Sequence, residues 1–124
     1  MKKVVNSPKA PGAIGPYSQA IEAAGMIFVS GQLPIDPQTG DMKEDIESQT
    51  KQSLENMRNI LGEAGLTMDH VVKTTVFLSD MSLFAGMNAV YSTFFTGDFP
   101  ARSAFAVKEL PKGASVEIEC IAVR

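Results

Sequence analysis

Val116–Val123, which reads Val-Glu-Ile-Glu-Cys-Ile-Ala-Val, is the stretch that decides how this chain folds. One set of its alternate residues is wholly apolar, whereas the other set holds two glutamates followed by two apolar residues. Because successive side chains of a strand point to opposite faces, this alternation predicts a strand with one face on a helical layer. The other face is half apolar and needs a cover, for which self-association is the simplest.

Upstream of this strand, strand-like patterns alternate with helical ones. A helical period runs from about Asp45 to a stop at Gly65, and a second begins at Asp80 or Ser82 and stops near Gly97. The strand-like patterns are Tyr17–Ala23, Met26–Ser30, His70–Leu78 and Arg102–Val107. The order β, β-β, α, β, α, β, β predicts an α+β two-layer sandwich, a mostly antiparallel sheet with two helices on one face. The length of 124 residues is that of a single domain, 1–124.

Composition narrows the class of function. The formal net charge is −3 and the charges are scattered, which argues against nucleic acid as the main partner. A single cysteine excludes an internal disulfide and fits a reducing compartment. The chain shows neither a signal-peptide pattern nor a long apolar run. We therefore expect a cytoplasmic protein with no membrane partner.

The residues offer few routes to catalysis. One His and one Cys cannot supply the usual cluster of transition-metal ligands, and no glycine-rich nucleotide-binding motif occurs, so neither metal nor cofactor is expected. His70 fits a turn residue at a strand start, and Cys120 fits a small hydrophobe that faces the helices.

Five polar or small positions remain as candidates for a site. Arg102 begins an apolar strand, where its donor fork suits either a carboxylate ligand or a structural ion pair. Glu117 suits either acid/base work or an edge or interface salt bridge with Arg102 or Arg124. Asn88, on an apolar helix stripe, needs a hydrogen-bond partner in the fold or in a ligand. Ser30-Gly31 offers a hydroxyl and N–H groups, or is a plain strand-ending turn.

Five strings, in order along nearly the whole chain, resemble the RidA/YjgF family. They are Gly12-Ala13-Ile14-Gly15-Pro16-Tyr17-Ser18-Gln19-Ala20, Val29-Ser30-Gly31-Gln32-Leu33-Pro34, Thr74-Thr75-Val76-Phe77, Pro100-Ala101-Arg102-Ser103 and Val116–Val123. The resemblance implies a chorismate-mutase-like fold in a homotrimer with a central barrel and sites between subunits. It also implies cofactor-free hydrolysis of 2-imino acids, formed from 2-aminoacrylate or 2-aminocrotonate, to 2-keto acids and ammonia. Pyridoxal-phosphate-dependent dehydratases release those enamines.

The resemblance also assigns roles to residues. Arg102 would bind the substrate carboxylate and Glu117 would activate the water, while Tyr17, Ser30, Gly31 and Asn88 would complete the pocket. Phe84 and Tyr91 would form its wall. Many deaminases of the family carry Cys where this chain has Ala104, a position at which only a backbone group needs to hold the imino end.

Two other functions compete with the deaminase. A non-catalytic regulator or chaperone-like trimer would use the same clefts, and Ala104 keeps that alternative open. A ribonuclease, an activity attached to some members of the family, is disfavoured by the acidic composition and the single His70.

Overall fold

The computed structural model describes all of residues 1–124 and contains six strands and two α-helices. The strands are β1 Lys3–Val5, β2 Ala20–Ala23, β3 Met26–Gln32, β4 Val71–Leu78, β5 Ala101–Ala106 and β6 Val116–Val123. The helices are α1 Ile46–Glu63 and α2 Phe84–Tyr91. The order of elements is the predicted one, but its first strand had no predicted range, and the structure places that strand at Lys3–Val5.

The six strands form one sheet in the order β1-β2-β3-β6-β4-β5. Every neighbouring pair is antiparallel except β4 and β5. Those two strands are parallel because α2 crosses between them and returns the chain to the same end of the sheet. The last strand, β6, lies between β3 and β4, so the end of the chain forms the middle of the sheet.

Both helices contribute to a single core on one face of the sheet. From α1, Leu54, Met57, Ile60 and Leu61 are fully buried, and Met87 and Tyr91 of α2 belong to the same cluster. The sheet side of this core is the wholly apolar set of β6, namely Val116, Ile118, Cys120 and Ala122. The predicted α+β architecture, with two helices on a mostly antiparallel sheet, is thus confirmed. Neither helix combines the length and the apolar character that crossing a membrane would require.

The ends of α1 follow the sequence closely. The Asp45 side chain accepts a hydrogen bond from the Ser48 backbone N–H at 2.9 Å, which satisfies a free donor of the first turn. Gly65 follows the helix with a φ of 77°, a left-handed conformation that glycine adopts without steric cost. The predicted stop at Gly65 is therefore confirmed.

The predicted ends of three elements were wrong. Strand β2 starts at Ala20 rather than Tyr17, because its partner β1 ends where Val5 pairs with Ala20. Strand β3 continues past Ser30 to Gln32 through an irregularity in its pairing with β6. Helix α2 ends at Tyr91, and a short 3-10 turn, Ser92–Phe94, follows it. The Ser92 and Thr93 hydroxyls donate to the carbonyls of Ala89 and Val90, which favours this tighter turn.

The second face of the sheet, here called the open face, is covered by no element of the chain. Glu119 and Val123 of β6 are exposed on it, and Phe28 of β3 and Phe105 of β5 keep 40% and 45% of their surface accessible. Phe105 packs edge-on against Phe77 of β4 at 5.6 Å between ring centres. The predicted half-apolar second face is confirmed, and its aromatic area suits contact with another protein surface.

Candidate active site

Arg102 lies near the start of β5, on the helix-bearing face of the sheet. Its guanidinium carbon is 4.8 Å from the ring centre of Tyr91 and 5.4 Å from that of Phe84. Its Nη1 donates a hydrogen bond of 2.6 Å to Asn88 Oδ1. Three residues of α2 thus hold the guanidinium by two ring faces and one directional hydrogen bond. Asn88 finds its polar partner within the fold.

The Arg102 guanidinium has no carboxylate partner in the chain. The two ion pairs present join Arg58 to Glu55 and Arg124 to Glu22. A cleft of about 430 Å³ opens beside Arg102 and is lined by Asn88, Tyr91, Ser92, Phe99, Pro100 and Arg102. A fixed, unpaired guanidinium at a cleft is suited to binding an anion, above all a planar carboxylate.

Tyr91, beneath the guanidinium, is itself fixed by a hydrogen bond. Its phenolic oxygen lies 2.6 Å from Thr74 Oγ1, and both groups are buried. Burial raises the pKa of Tyr91, although the Thr74 hydrogen bond and the Arg102 charge act in the opposite direction. The phenol therefore stays neutral and offers Arg102 an aromatic face rather than a counter-charge.

Glu117 belongs to a different cluster. Its side chain lies against Gly31 of β3, where a Cβ added to the glycine would stand 2.8 Å from the Glu117 carboxyl carbon. Only glycine leaves room for the carboxyl group there. Burial, and secondarily the charge of Glu119, raises the pKa of Glu117. Within the chain Glu117 forms no salt bridge with Arg102 or Arg124, and Arg124 pairs instead with Glu22 at 2.9 Å.

Ser30 and Tyr17 lie near the same end of β3. The Ser30 hydroxyl donates a 2.6 Å hydrogen bond to the Ser18 carbonyl, so within the chain it can only accept a further bond. Tyr17 precedes that carbonyl and keeps 54% of its surface exposed. The segment is held by Gln19, whose buried amide bonds backbone groups between Ser7 and Pro11. Ser30 therefore positions the segment that presents Tyr17.

The other singled-out residues have simpler surroundings. Ala104 is two residues beyond Arg102 on the same face, half-buried against the core. Cys120 is buried, which raises the pKa of its thiol to about 12 and keeps the thiol protonated. His70 closes a 3-10 turn, where its Nδ1 accepts from the Thr67 backbone N–H at 3.1 Å. No three His, Cys, Asp or Glu side chains form a group that could hold a metal ion.

Arg102 and Glu117 lie on opposite faces of the sheet. Across the strands, Cys120 is in register with Thr74 and Thr74 with Arg102, which places Arg102 on the helix-bearing face. Glu117 is three residues from Cys120 along β6 and so points to the open face, roughly 10 Å further along the strand. One copy of the chain cannot bring both groups to one small substrate.

Sequence reasoning missed part of the Arg102 cluster. Thr74 and Phe99 were not singled out, yet one supports Tyr91 and the other lines the cleft. Phe99 could have been found, because Phe99-Pro100 directly precedes the strand that carries Arg102. Thr74 could not, since its role depends on which strand pairs with β5.

Comparison with known proteins gives a consistent assignment. Residues 7–124 match the sequence profile of the family described as Endoribonuclease L-PSP. The chain is 49% identical to a 2-iminobutanoate/2-iminopropanoate deaminase of Salmonella typhimurium over 100% of its own length and 99% of that protein's.

Two solved structures show the same fold. The structure of Escherichia coli TdcF with bound serine superposes with a TM-score of 0.96 at 45% identity, covering 98% of each chain. A protein of unknown function of the conserved Rid family from Yersinia pestis superposes at 0.97 with 50% identity over 100% of both chains. Taken with the profile match and the Salmonella relative, these similarities show that the chain belongs to the RidA/YjgF family.

Proposed function

We propose that this protein hydrolyses 2-imino acids, derived from 2-aminoacrylate or 2-aminocrotonate, to 2-keto acids and ammonia. The observation that carries the proposal is Arg102, which is fixed by Asn88, Phe84 and Tyr91 and has no carboxylate partner in the chain. The family relationship supports the same activity, because the Salmonella relative is named as such a deaminase.

Arg102 binds the substrate carboxylate in this proposal. Its Nη1 already donates to Asn88, which leaves the other edge of the guanidinium, Nε and Nη2, for a bidentate pair. The two aromatic rings restrict the plane of the guanidinium before the substrate arrives. Holding a planar imino acid by its carboxylate fixes the position of the electrophilic carbon next to it, and orientation of this kind accelerates a reaction strongly.

Glu117 activates the water that attacks this carbon. The carboxylate accepts a proton from water as the new C–O bond forms and passes it to the imine nitrogen, which gives a carbinolamine. It then accepts the proton of the new hydroxyl group as C=O forms, and passes this proton to the nitrogen as the C–N bond breaks, so that both protons of the water leave with ammonia. A positioned acid/base group of this type typically contributes ~10²–10⁴-fold. The raised pKa of Glu117 suits both halves of the transfer, since it makes the carboxylate a better base than an exposed glutamate.

The two groups meet only between copies of the chain. Because Arg102 and Glu117 lie on opposite sheet faces, the Glu117 that serves one Arg102 comes from a neighbouring subunit. The open face, with Phe28, Phe105 and Val123 exposed, supplies apolar area for that contact. A homotrimer whose open faces form a central barrel meets this requirement and places three sites at three interfaces, with Tyr17, Ser30, Gly31 and Ala104 beside them.

The proposal places the protein beside pyridoxal-phosphate-dependent dehydratases in the cytoplasm, which would supply its substrate. A coupled assay tests it: the purified chain is added to a serine/threonine dehydratase, and the decay of the imine and the release of keto acid are followed. Acceleration that is lost in Arg102→Ala, with the melting temperature retained, is the expected result. An unchanged rate in that variant would refute the site, and no acceleration by the wild-type chain would refute the reaction.

A non-catalytic keto-acid-binding trimer is the second candidate. Ala104 favours it, because a methyl group beside Arg102 adds no reactive group to the cleft. In that case the chain binds 2-oxobutanoate through Arg102 and leaves imine decay unchanged, which the same assay detects.

A further inference from the structure

We propose that Thr74 is a positioning residue for Arg102, acting through Tyr91; this inference rests on the proposed role of Arg102 in binding the substrate carboxylate. Thr74 is fully buried in β4 and has no access to the cleft. Its Oγ1 lies 2.6 Å from Tyr91 OH, and the Tyr91 ring centre lies 4.8 Å from the guanidinium carbon. The chain of contacts runs from the sheet, through the ring, to the cation.

The hydrogen bond is the directional element that fixes the Tyr91 ring. The ring's aromatic neighbour, Phe95, touches it at 4.9 Å between centres with a tilt of 43°. Such an apolar contact tolerates rotation and sliding, whereas a short hydrogen bond between two buried hydroxyls defines both the distance and the angle. Removal of the Thr74 hydroxyl would leave a buried phenol unsatisfied, and its ring would move toward a new partner or toward water.

The same bond anchors the end of α2. Tyr91 is the last residue of this eight-residue helix, and an irregular turn follows it. Asn88, the hydrogen-bond partner of Arg102, lies one turn earlier on the helix. A shift of the helix end therefore moves the aromatic face and the amide that together orient the guanidinium.

Thr74 is also in direct register with Arg102 in the parallel pair of β4 and β5. Thr74 therefore pairs with the strand that carries Arg102 and also hydrogen-bonds the ring that supports its guanidinium. A threonine that only fills space in the core would do neither.

Thr50 of α1 provides a matched control. It is also fully buried, but its hydroxyl has no hydrogen-bond partner. Thr74→Val and Thr50→Val make the same isosteric change, and Thr74→Ser keeps the hydroxyl. For each full-length variant, we would measure binding of 2-oxobutanoate by calorimetry, kcat and KM for imine hydrolysis, and the NMR signal of the Arg102 Nε–H.

We expect Thr74→Val to weaken 2-oxobutanoate binding and to raise KM by about threefold to tenfold, with a smaller change in kcat. A change of this size corresponds to the usual net contribution of one hydrogen bond. The Arg102 Nε–H signal should broaden in this variant, and Thr74→Ser should restore binding and signal. Thr50→Val should leave both unchanged.

Unchanged binding and an unchanged Arg102 signal in Thr74→Val would overturn the inference. Equal losses in Thr50→Val, or a Thr74→Ser variant that rescues nothing, would show a general packing defect and overturn it as well. If the wild-type chain neither binds 2-oxobutanoate nor accelerates imine decay, the proposed function fails. In that case the NMR signal of the Arg102 Nε–H in Thr74→Val still tests whether Thr74 positions Arg102.

Discussion

Two inactive variants should restore each other's activity when they assemble together. Arg102→Ala removes the carboxylate-binding group, and Glu117→Gln removes the base while keeping nearly the same shape. Since the two residues lie on opposite faces of the sheet in one chain, each proposed site takes Arg102 from one subunit and Glu117 from its neighbour. Co-assembly then rebuilds some sites with both groups intact.

The size of the effect follows from this geometry. Alone, Glu117→Gln should lose ~10²–10⁴-fold in kcat, the usual contribution of an acid/base group. In a random trimer made from equal amounts of the two variants, half of the chains supply an intact Arg102 and half an intact Glu117. About one quarter of the interfaces then hold both, so the mixture should reach roughly one quarter of the wild-type activity.

The assay is coproduction of the two variants with different affinity tags, which verify co-assembly on a sample of the preparation, followed by the dehydratase-coupled measurement on the whole, unselected oligomer population. A doubly substituted chain coproduced with wild type serves as the matched control. It should also give about one quarter of wild-type activity if the site is shared, but about one half if one chain holds the whole site. Mixed oligomers no more active than the separate variants, together with the one-half result in the control, would refute the shared site.

Three further predictions follow from the described contacts. Gly31→Ala should abolish most activity and leave the fold intact, because the added methyl group displaces the Glu117 carboxyl group; full activity with circular dichroism like that of wild type would contradict this. Glu117→Gln should raise the melting temperature at neutral pH. Burial raises the pKa of Glu117 in the folded state above its value in the unfolded chain, so loss of the proton destabilises the fold. This destabilisation is absent below the ordinary pKa of a glutamate and develops as the pH rises through the raised value. The difference from wild type should therefore vanish in acid, and a constant or reversed difference in melts across pH would refute the cause. Ser53→Ala should stabilise the chain by about 1 kcal/mol in urea unfolding, because it removes a buried hydroxyl that has no partner and favours the helix; a loss of stability would mean that the hydroxyl is satisfied.

Much of the fold could be predicted because its determinants are local. The alternation of β6 identifies the core face of the central strand, and the helical period with Asp45 and Gly65 identifies α1 and its ends. The start of β2 was wrong because it depends on pairing: the strand begins at Ala20, where β1 ends opposite it. The end of α2 was wrong for a local reason, because the Ser92 and Thr93 hydroxyls bond carbonyls of the preceding turn and favour a tighter turn that the apolar period does not reveal.

The sequence by itself determined which residue types could carry chemistry and which face of β6 each of them takes. Only the tertiary structure decided that Arg102 of β5 lies on the face of the sheet opposite to that of Glu117, and that Thr74 supports Tyr91 beneath the guanidinium. The physical reason is that side chains alternate with a period of two within a strand, which is a local property. The relative facing of two strands depends instead on their order and register in the sheet, which contacts between distant parts of the chain establish.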